Sequence, residues 1–283
     1  MQSRVEFLKM HGAGNDFIVI EDLDGNFKPA PGFVSSLCTL HRGIGADGLI
    51  LVRRSDQADF KMIYFNSDGS EADMCGNGAR CAALFAFEND IAGRSMVFET
   101  ASGQVKAKVQ DGWIRINIGE LYDLKLGIEL KKSGVIAHFA ISGVPHAVIL
   151  VDEVRGYPCD DFLAMARSVR HDPAFAPAGT NVDLVSISSR NELVYRTYER
   201  GVEAETMACG TGAVAAAVVT SHMNLTDSPV NCETSGGDFL EVEFDRVPGG
   251  ARNCSLKGTA VFVFKGSFLV DNFLSSSTDR VRS

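Results

Sequence analysis

The chain has 283 residues, 45% of them hydrophobic and 22% charged, with a formal net charge of −9 and a pI of about 5.2. That length suffices for two domains with separate cores, and an acidic balance without any Lys/Arg-rich run argues against a nucleic-acid or anionic-membrane surface. No apolar run approaches the roughly 18 residues of a spanning helix, Met1–Gly14 lacks the apolar stretch of a secretion signal, and seven dispersed cysteines without a Cys-x2-Cys pair read as reduced thiols of a cytoplasmic protein, not as a disulfide framework or a zinc site.

Short strands alternate with a few helices along the chain. Phe17–Ile20 reads as a buried strand and Pro31–His41 as a helix with proline at its start. Leu49–Val52 and Phe60–Phe65 read as strands, and Asn77–Glu88, rich in Ala, Leu and Phe, as a largely buried helix. Val97–Val109 reads as a hairpin turning at Ser102-Gly103, and Trp113–Ile118 alternates like a half-buried strand. The second half repeats this order. Ile136–Ile141 and Ala147–Val151 are strands, Asp160-Asp161 caps a helix reaching about Arg170, and Val182–Ile187 and Leu193–Tyr198 are strands. Gly212–His222 is an alanine-valine helix, and Glu233-Thr234 opens a hairpin around Gly236-Gly237. The boundary between the halves is expected near Gly119–Leu126. Residues 1–121 and 122–265 then form two halves. The Ser- and Arg-rich tail from Asp271 is expected to be frayed.

The repetition extends to individual residues. Cys75-Gly76-Asn77-Gly78-Ala79 recurs as Cys209-Gly210-Thr211-Gly212-Ala213, an offset of 134 positions. The same offset carries Glu99-Thr100 onto Glu233-Thr234, Gly103 onto Gly237, and Gly45-Ala46-Asp47-Gly48-Leu49 onto Gly179-Thr180-Asn181-Val182-Asp183. An internal duplication of this kind predicts an α+β fold of two pseudo-symmetric domains, with equivalent cysteines facing each other across one cleft. Two facing thiols suit removal of a proton from a carbon and delivery of a proton to its opposite face.

Each cysteine motif begins a helix. Free N–H groups at a helix N-terminus form an anion site suited to a carboxylate, glycines there permit close approach, and the partial positive charge favours thiolate. The bland alternative is that each cysteine fills a gap beside a helix–strand contact; two copies in register weigh against it. Gly43-Ile44-Gly45-Ala46-Asp47-Gly48 has the spacing of a dinucleotide loop, but it follows a helix and opens a strand. That context is inverted, so it reads as a glycine-rich turn. Cys38, Cys159, Cys232 and Cys254 read as buried small apolar residues, and Cys81 as core. Glu199-Arg200 ends a strand near the second cysteine and suits a zwitterionic amino acid. His146, after Pro145 on a turn between strands, is open to a structural or a catalytic reading.

The run Asn66-Ser67-Asp68-Gly69-Ser70-Glu71-Ala72-Asp73-Met74-Cys75-Gly76-Asn77-Gly78-Ala79-Arg80, with Glu199-Arg200-Gly201 and Ala208-Cys209-Gly210-Thr211-Gly212, resembles diaminopimelate epimerase, a pyridoxal-phosphate-independent family. The similarity runs from Lys9-Met10-His11-Gly12-Ala13-Gly14-Asn15-Asp16-Phe17 to about Gly266. It implies two pseudo-symmetric domains, each a curled mixed sheet around a central helix, with the active site between them and the 266–283 tail joined to the first. It further implies that Cys75 and Cys209 are the acid/base pair, with His146 and Glu199 supporting proton transfer. Gly76, Asn77, Gly210 and Thr211 would hold the reacting α-carboxylate, and Asn15, Asn66, Asn181, Glu199 and Arg200 the rest of the substrate. No cofactor and no metal are implied, and members are usually homodimers. The chain departs from the family in two places: the Gly-Asn-Pro-His turn reads Gly143-Val144-Pro145-His146, and Glu203-Ala204-Glu205-Thr206 carries one extra residue.

The expected reaction is therefore the interconversion of LL- and meso-diaminopimelate, in lysine and peptidoglycan precursor synthesis. The rival among enzymes is a racemase of proline, hydroxyproline or glutamate. The rival of another class is an amino-acid-binding protein without catalysis, against which retention of both cysteines argues.

Overall fold

A computed structural model describes residues 4–270 and residue 273; the fraying expected from Asp271 onward falls outside the described residues. The chain divides into two compact units, one running through Ile116 and taking back the chain from Thr259, the other spanning Asn117–Gly258.

In the first unit, β1 (Arg4–Gly12) and β2 (Asn15–Glu21) form a hairpin, followed by α1 (Pro31–Cys38), β3 (Gly48–Arg53), β4 (Phe60–Asn66) and the short β5 (Glu71–Ala72). Then come α2 (Gly76–Glu88), β6 (Ser95–Thr100), β7 (Gly103–Gln110) and β8 (Trp113–Leu130), whose first residues close this unit and whose remainder enters the second. The second unit continues with β9 (Val135–Ser142), β10 (Val144–Leu150), α3 (Cys159–Arg170), β11 (Asn181–Ser189), β12 (Glu192–Glu199) and β13 (Ala204–Thr206). It ends with α4 (Gly210–His222), β14 (Val230–Glu233), β15 (Phe239–Val247) and β16 (Gly250–Thr259), after which β17 (Val261–Leu269) returns to the first unit beside β1.

The duplication is visible in the strand pairings. In the first unit β1–β2 is antiparallel, β2–β3 parallel, β3–β4 antiparallel, β4–β6 parallel, and β6–β7 and β7–β8 antiparallel. The second unit repeats that series from β9–β10 through β10–β11, β11–β12, β12–β14 and β14–β15 to β15–β16. β17 flanks β1 as β8 flanks β9. The structure is thus a mixed, sheet-dominated α+β fold of two repeated domains, as the sequence repeat predicts.

Each unit wraps its sheet around one helix, α2 against β1–β4 and β7, and α4 against β9–β12, β14 and β15. Every residue of α4 from Gly212 to Ser221 is buried, although Val218, Val219 and Thr220 are weak helix formers. Packing overrides propensity here, since burying a valine is worth about 1.5–3 kcal/mol. The outer helices cover the opposite sheet faces. Phe33, Val34 and Leu37 of α1 pack with Ile18, Leu49 and Phe268, while Phe162, Ala166 and Val169 of α3 pack with Val182 and Leu184.

Local details differ from the sequence reading. Helix α1 stops at Cys38 because Thr39 turns extended and the carbonyl of Leu37 is taken by the N–H groups of Ile44 and Gly45 at 2.8 and 3.1 Å. Thr100 pairs with Gly103, so the hairpin turn is Ala101-Ser102, one residue earlier than expected. Pro158, not an aspartate, is the N-cap of α3, and Asp160 and Asp161 sit inside its first turn, where they complement the helix dipole. Cys38, Cys232 and Cys254 are buried as expected, but Cys159 is exposed.

Candidate active site

Cys75 and Cys209 are the N-caps of α2 and α4, both extended (φ −130° and −118°). Their carbonyls accept the first helical bonds, from Ala79 at 2.7 Å and Ala213 at 3.0 Å. Neither side chain caps its helix. Cysteine replaces the Ser, Asp or Asn that would normally satisfy the first-turn donors. Gly78 and Gly212, equivalent in the repeat, lie beside these cysteines for different steric reasons. A Cβ on Gly212 would stand 2.6 Å from Asp183 Oδ1, whereas one on Gly78 would meet only side-chain ends at 3.2 Å and Cys75 Cβ at 3.5 Å.

In the first unit the structure brings together Cys75, Gly76, Asn77 and Asn15. Asn15 Oδ1 lies 3.5 Å from Cys75 Sγ and accepts from Asn77 Nδ2 at 3.2 Å, while Asn15 Nδ2 donates to Asp47 at 2.7 Å. Fully buried Arg80 donates to Asn77 Oδ1 at 2.8 Å, which fixes the Asn77 amide. Asn66 closes its own turn, with Nδ2 donating to Ser70 Oγ at 3.1 Å.

The second unit gathers a denser set. His146 lies on β10, wholly buried, and not on the turn that the sequence suggests. Its Nδ1 is 2.7 Å from Asp183 Oδ2 and its Nε2 is 3.0 Å from Thr211 Oγ1, which is in turn 3.4 Å from Cys209 Sγ. Thr197 donates to Asp183 Oδ1 at 2.6 Å. Glu199 accepts from Thr206 at 2.6 Å, and its carboxyl group acts electrostatically on the Cys209 thiol. Gly210 opens α4 beside the thiol, and Asn181 accepts from the Arg200 N–H at 2.8 Å. Among the described residues, no side chain pairs with the Arg200 guanidinium.

Burial pushes the Cys209 thiol well above its ordinary range, with the carboxylates of Glu199 and Asp183 adding to the effect. Hydrogen bonds with the Thr211 hydroxyl and the Gly212 N–H pull the other way and lose, so the thiolate expected from helix position is not the form that burial favours. Burial also raises Glu199, against the pull of Thr206 and His146. The site can therefore hold a neutral thiol beside a carboxyl group poised to exchange a proton.

Sequence reading missed Asp183 and Thr197. For Asp183 the signal is faint but present: it is a charged residue in the mostly apolar strand Val182–Ile187, two positions from Asn181 and on the same face.

A mixed sheet wrapped around one helix in each of two repeated units is an arrangement found in solved structures. A phenazine biosynthesis protein of the PhzF family from Bacillus anthracis superposes with a TM-score of 0.73 at 15% identity, covering 94% of this chain and 99% of that one. A hydroxyproline epimerase from Agrobacterium vitis superposes with a TM-score of 0.69 at 17% identity, over 96% of this chain and 94% of that one. These likenesses establish the fold.

Sequence narrows the class. The family model described as diaminopimelate epimerase matches residues 7–122 and 139–262. The chain is 39% identical to the diaminopimelate epimerase of Aquifex aeolicus over 93% of its length and 97% of that protein, and 38% identical to that of Archaeoglobus fulgidus over 85% and 89%. The chain belongs to the diaminopimelate epimerase family, and is an isomerase acting on a small molecule.

Proposed function

We propose that the enzyme interconverts LL- and meso-diaminopimelate by a two-base reaction, with Cys75 and Cys209 as the two proton carriers. The observation that supports this most directly is the pair of N-cap cysteines, one per repeated unit, each with its sulfur beside a polar group able to exchange or stabilise a proton. An amino-acid α-proton is very weakly acidic. The carbanion character that develops must be stabilised by preorganised donors, and the first-turn N–H groups of α2 and α4, at Gly76, Asn77, Gly210 and Thr211, suit an α-carboxylate. Asn15, Asn66, Asn181, Glu199 and Arg200 bind the remaining ammonium and carboxylate groups, and His146 with Glu199 manages the protons of Cys209. The thiols carry out the chemistry without an organic cofactor or metal. The enzyme serves lysine and peptidoglycan precursor synthesis as a cytoplasmic homodimer, in keeping with the family resemblance.

The test is incubation with LL-diaminopimelate in D2O, with separation of the stereoisomers. Early turnover should place deuterium in the meso product while recovered substrate stays largely protiated. Equal early labelling of both isomers would indicate one base or rapid exchange with water, and absence of turnover would rule out the substrate.

A further inference from the structure

The buried chain of groups behind Cys209 has a fixed polarity. Asp183, Thr197 and His146 are at most 1% exposed. Thr197 donates to Asp183 Oδ1 at 2.6 Å, which leaves Oδ2, 2.7 Å from His146 Nδ1, to accept from the imidazole. An ionised carboxylate only accepts, so His146 carries its first proton on Nδ1 and Nε2 presents a lone pair. Two groups face that lone pair, the Thr211 hydroxyl at 3.0 Å and the Asn181 amide nitrogen at 3.5 Å, and the shorter contact takes the hydroxyl as its donor. With its hydrogen committed, Thr211 Oγ1 can only accept from the Cys209 thiol, 3.4 Å away. The order is S–H to hydroxyl, hydroxyl to Nε2, and Nδ1–H to carboxylate.

We propose that Thr211 is a proton relay through which His146, oriented by Asp183 and Thr197, converts Cys209 from thiol to thiolate. The inference rests on the reading of Cys209 as a proton carrier. That reading creates a need which this geometry meets: a buried thiol must lose its proton before it can take one from the substrate. In the step, the Cys209 S–H proton passes to Thr211 Oγ1 and the original hydroxyl proton passes to His146 Nε2. The S–H electron pair stays on sulfur. The product is a thiolate beside an imidazolium, and the imidazolium sits against Asp183. The Thr211 hydroxyl now accepts from Nε2–H and donates to the thiolate, so the rotated hydrogen bonds stabilise the new state. Reversal restores the thiol for the opposite direction of catalysis.

The other titratable groups about this thiol are Glu199 and Tyr195 on β12 and Cys232 on β14. Glu199 acts on the sulfur electrostatically and is the competing proton acceptor. Tyr195 donates its hydroxyl to the Cys209 carbonyl at 2.9 Å and is occupied there. Thr211 touches sulfur and imidazole, whereas Asp183 and Thr197 are positioning residues that act through His146.

The experiment combines a spectroscopic and a kinetic reading on the full-length enzyme. Nitrogen-15 NMR of the labelled imidazoles should show neutral His146 as the Nδ1–H tautomer. Asp183→Asn is isosteric, and because Thr197 holds its oxygen, it should turn an NH2 toward Nδ1 and switch the ring to the Nε2–H tautomer. Turnover should then fall roughly 100-fold or more, with KM little changed, as for loss of a general acid–base partner. Thr211→Val should keep the native tautomer yet lose a comparable factor in kcat, and Thr211→Ser should recover most of that loss by restoring the hydroxyl. An Nε2–H tautomer in the unaltered protein would overturn the proposal, and so would near-normal kcat in Thr211→Val. Should Asp183→Asn not fold, the tautomer of the unaltered protein and the valine–serine comparison decide. The tautomer is read without substrate, so a failure of diaminopimelate turnover would count against the assigned reaction and leave the relay to be judged by the spectrum.

Discussion

Replacement of Gly212 by alanine tests how tightly α4 is built around the second cysteine. The added Cβ would stand 2.6 Å from Asp183 Oδ1, 2.9 Å from Thr197 Oγ1 and 3.3 Å from Cys209 Cβ. None of these atoms has room to retreat, because Asp183 and Thr197 are 0% and 1% exposed and are tied to each other and to His146. Overpacking of this kind costs about 1–3 kcal/mol. Breaking a hydrogen bond to the buried carboxylate costs about 1.5–3 kcal/mol more. Even after the gain of up to ~1 kcal/mol from placing alanine instead of glycine in a helix, a net loss of roughly 2–5 kcal/mol remains. For a chain of this size that corresponds to a fall in Tm of roughly 5–15 °C. Gly78→Ala is the matched control. Its Cβ would meet Ile50 Cδ1 and Met62 Cε at 3.2 Å, the ends of side chains that can turn aside, so its cost should stay below about 1 kcal/mol. Thermal unfolding followed by circular dichroism, with kcat/KM on the same samples, separates the two. Equal Tm losses in the two variants, or an intact Tm in Gly212→Ala, would refute the claim that Asp183 is held against α4 with no room to give.

Cys75→Ala and Cys209→Ala should each lower turnover by about 10²–10⁴-fold or more, while Cys38→Ala should leave it near normal; a stereoisomer assay compares them. Arg200→Ala should raise KM for diaminopimelate more than any change at Val144 while shifting stability by under about 0.5 kcal/mol, since no described side chain pairs with that guanidinium. A competition of diaminopimelate with glutamate and proline should strongly favour the first, and comparable kcat/KM values would mean a rebuilt pocket. Stability should fall in alkali. Burial raises the thiols of Cys38 and Cys81 to about 12 and that of Cys254 to about 11, from an ordinary 9.0. Above pH 9.0 the unfolded chain releases protons that the native state retains. The stabilisation is therefore complete below that pH and is lost toward 12, at about 1.4 kcal/mol per thiol for each pH unit. Denaturant titrations between about pH 8 and 10.5 should show this decline, and Cys81→Ala should make it shallower; an unchanged slope would contradict it.

Much of this protein was legible in its sequence because duplication writes the same local constraints twice. The recurrence of Cys-Gly-x-Gly-Ala, the buried helices behind it and the strands Leu49–Val52 and Val182–Ile187 depend on local pattern, and a constant offset of 134 ties the halves together. Helix position marked Cys75 and Cys209 as paired N-terminal thiols. What the sequence could not determine is the state of Cys209. That state depends on Glu199, Asp183 and Thr211, brought from β12, β11 and α4, and on burial, which outweighs the hydrogen bonds at the start of α4. The role of His146 was likewise undecided while it read as a turn residue. Parallel pairing of β10 with β11 sets His146 opposite Asn181, and the Asp183 side chain then reaches its ring. Local sequence fixes which side chains a strand or helix offers on each face. Which distant face it meets, and how much water remains between them, is settled only when the sheet closes around its helix, and that closure decides the charge of each buried group.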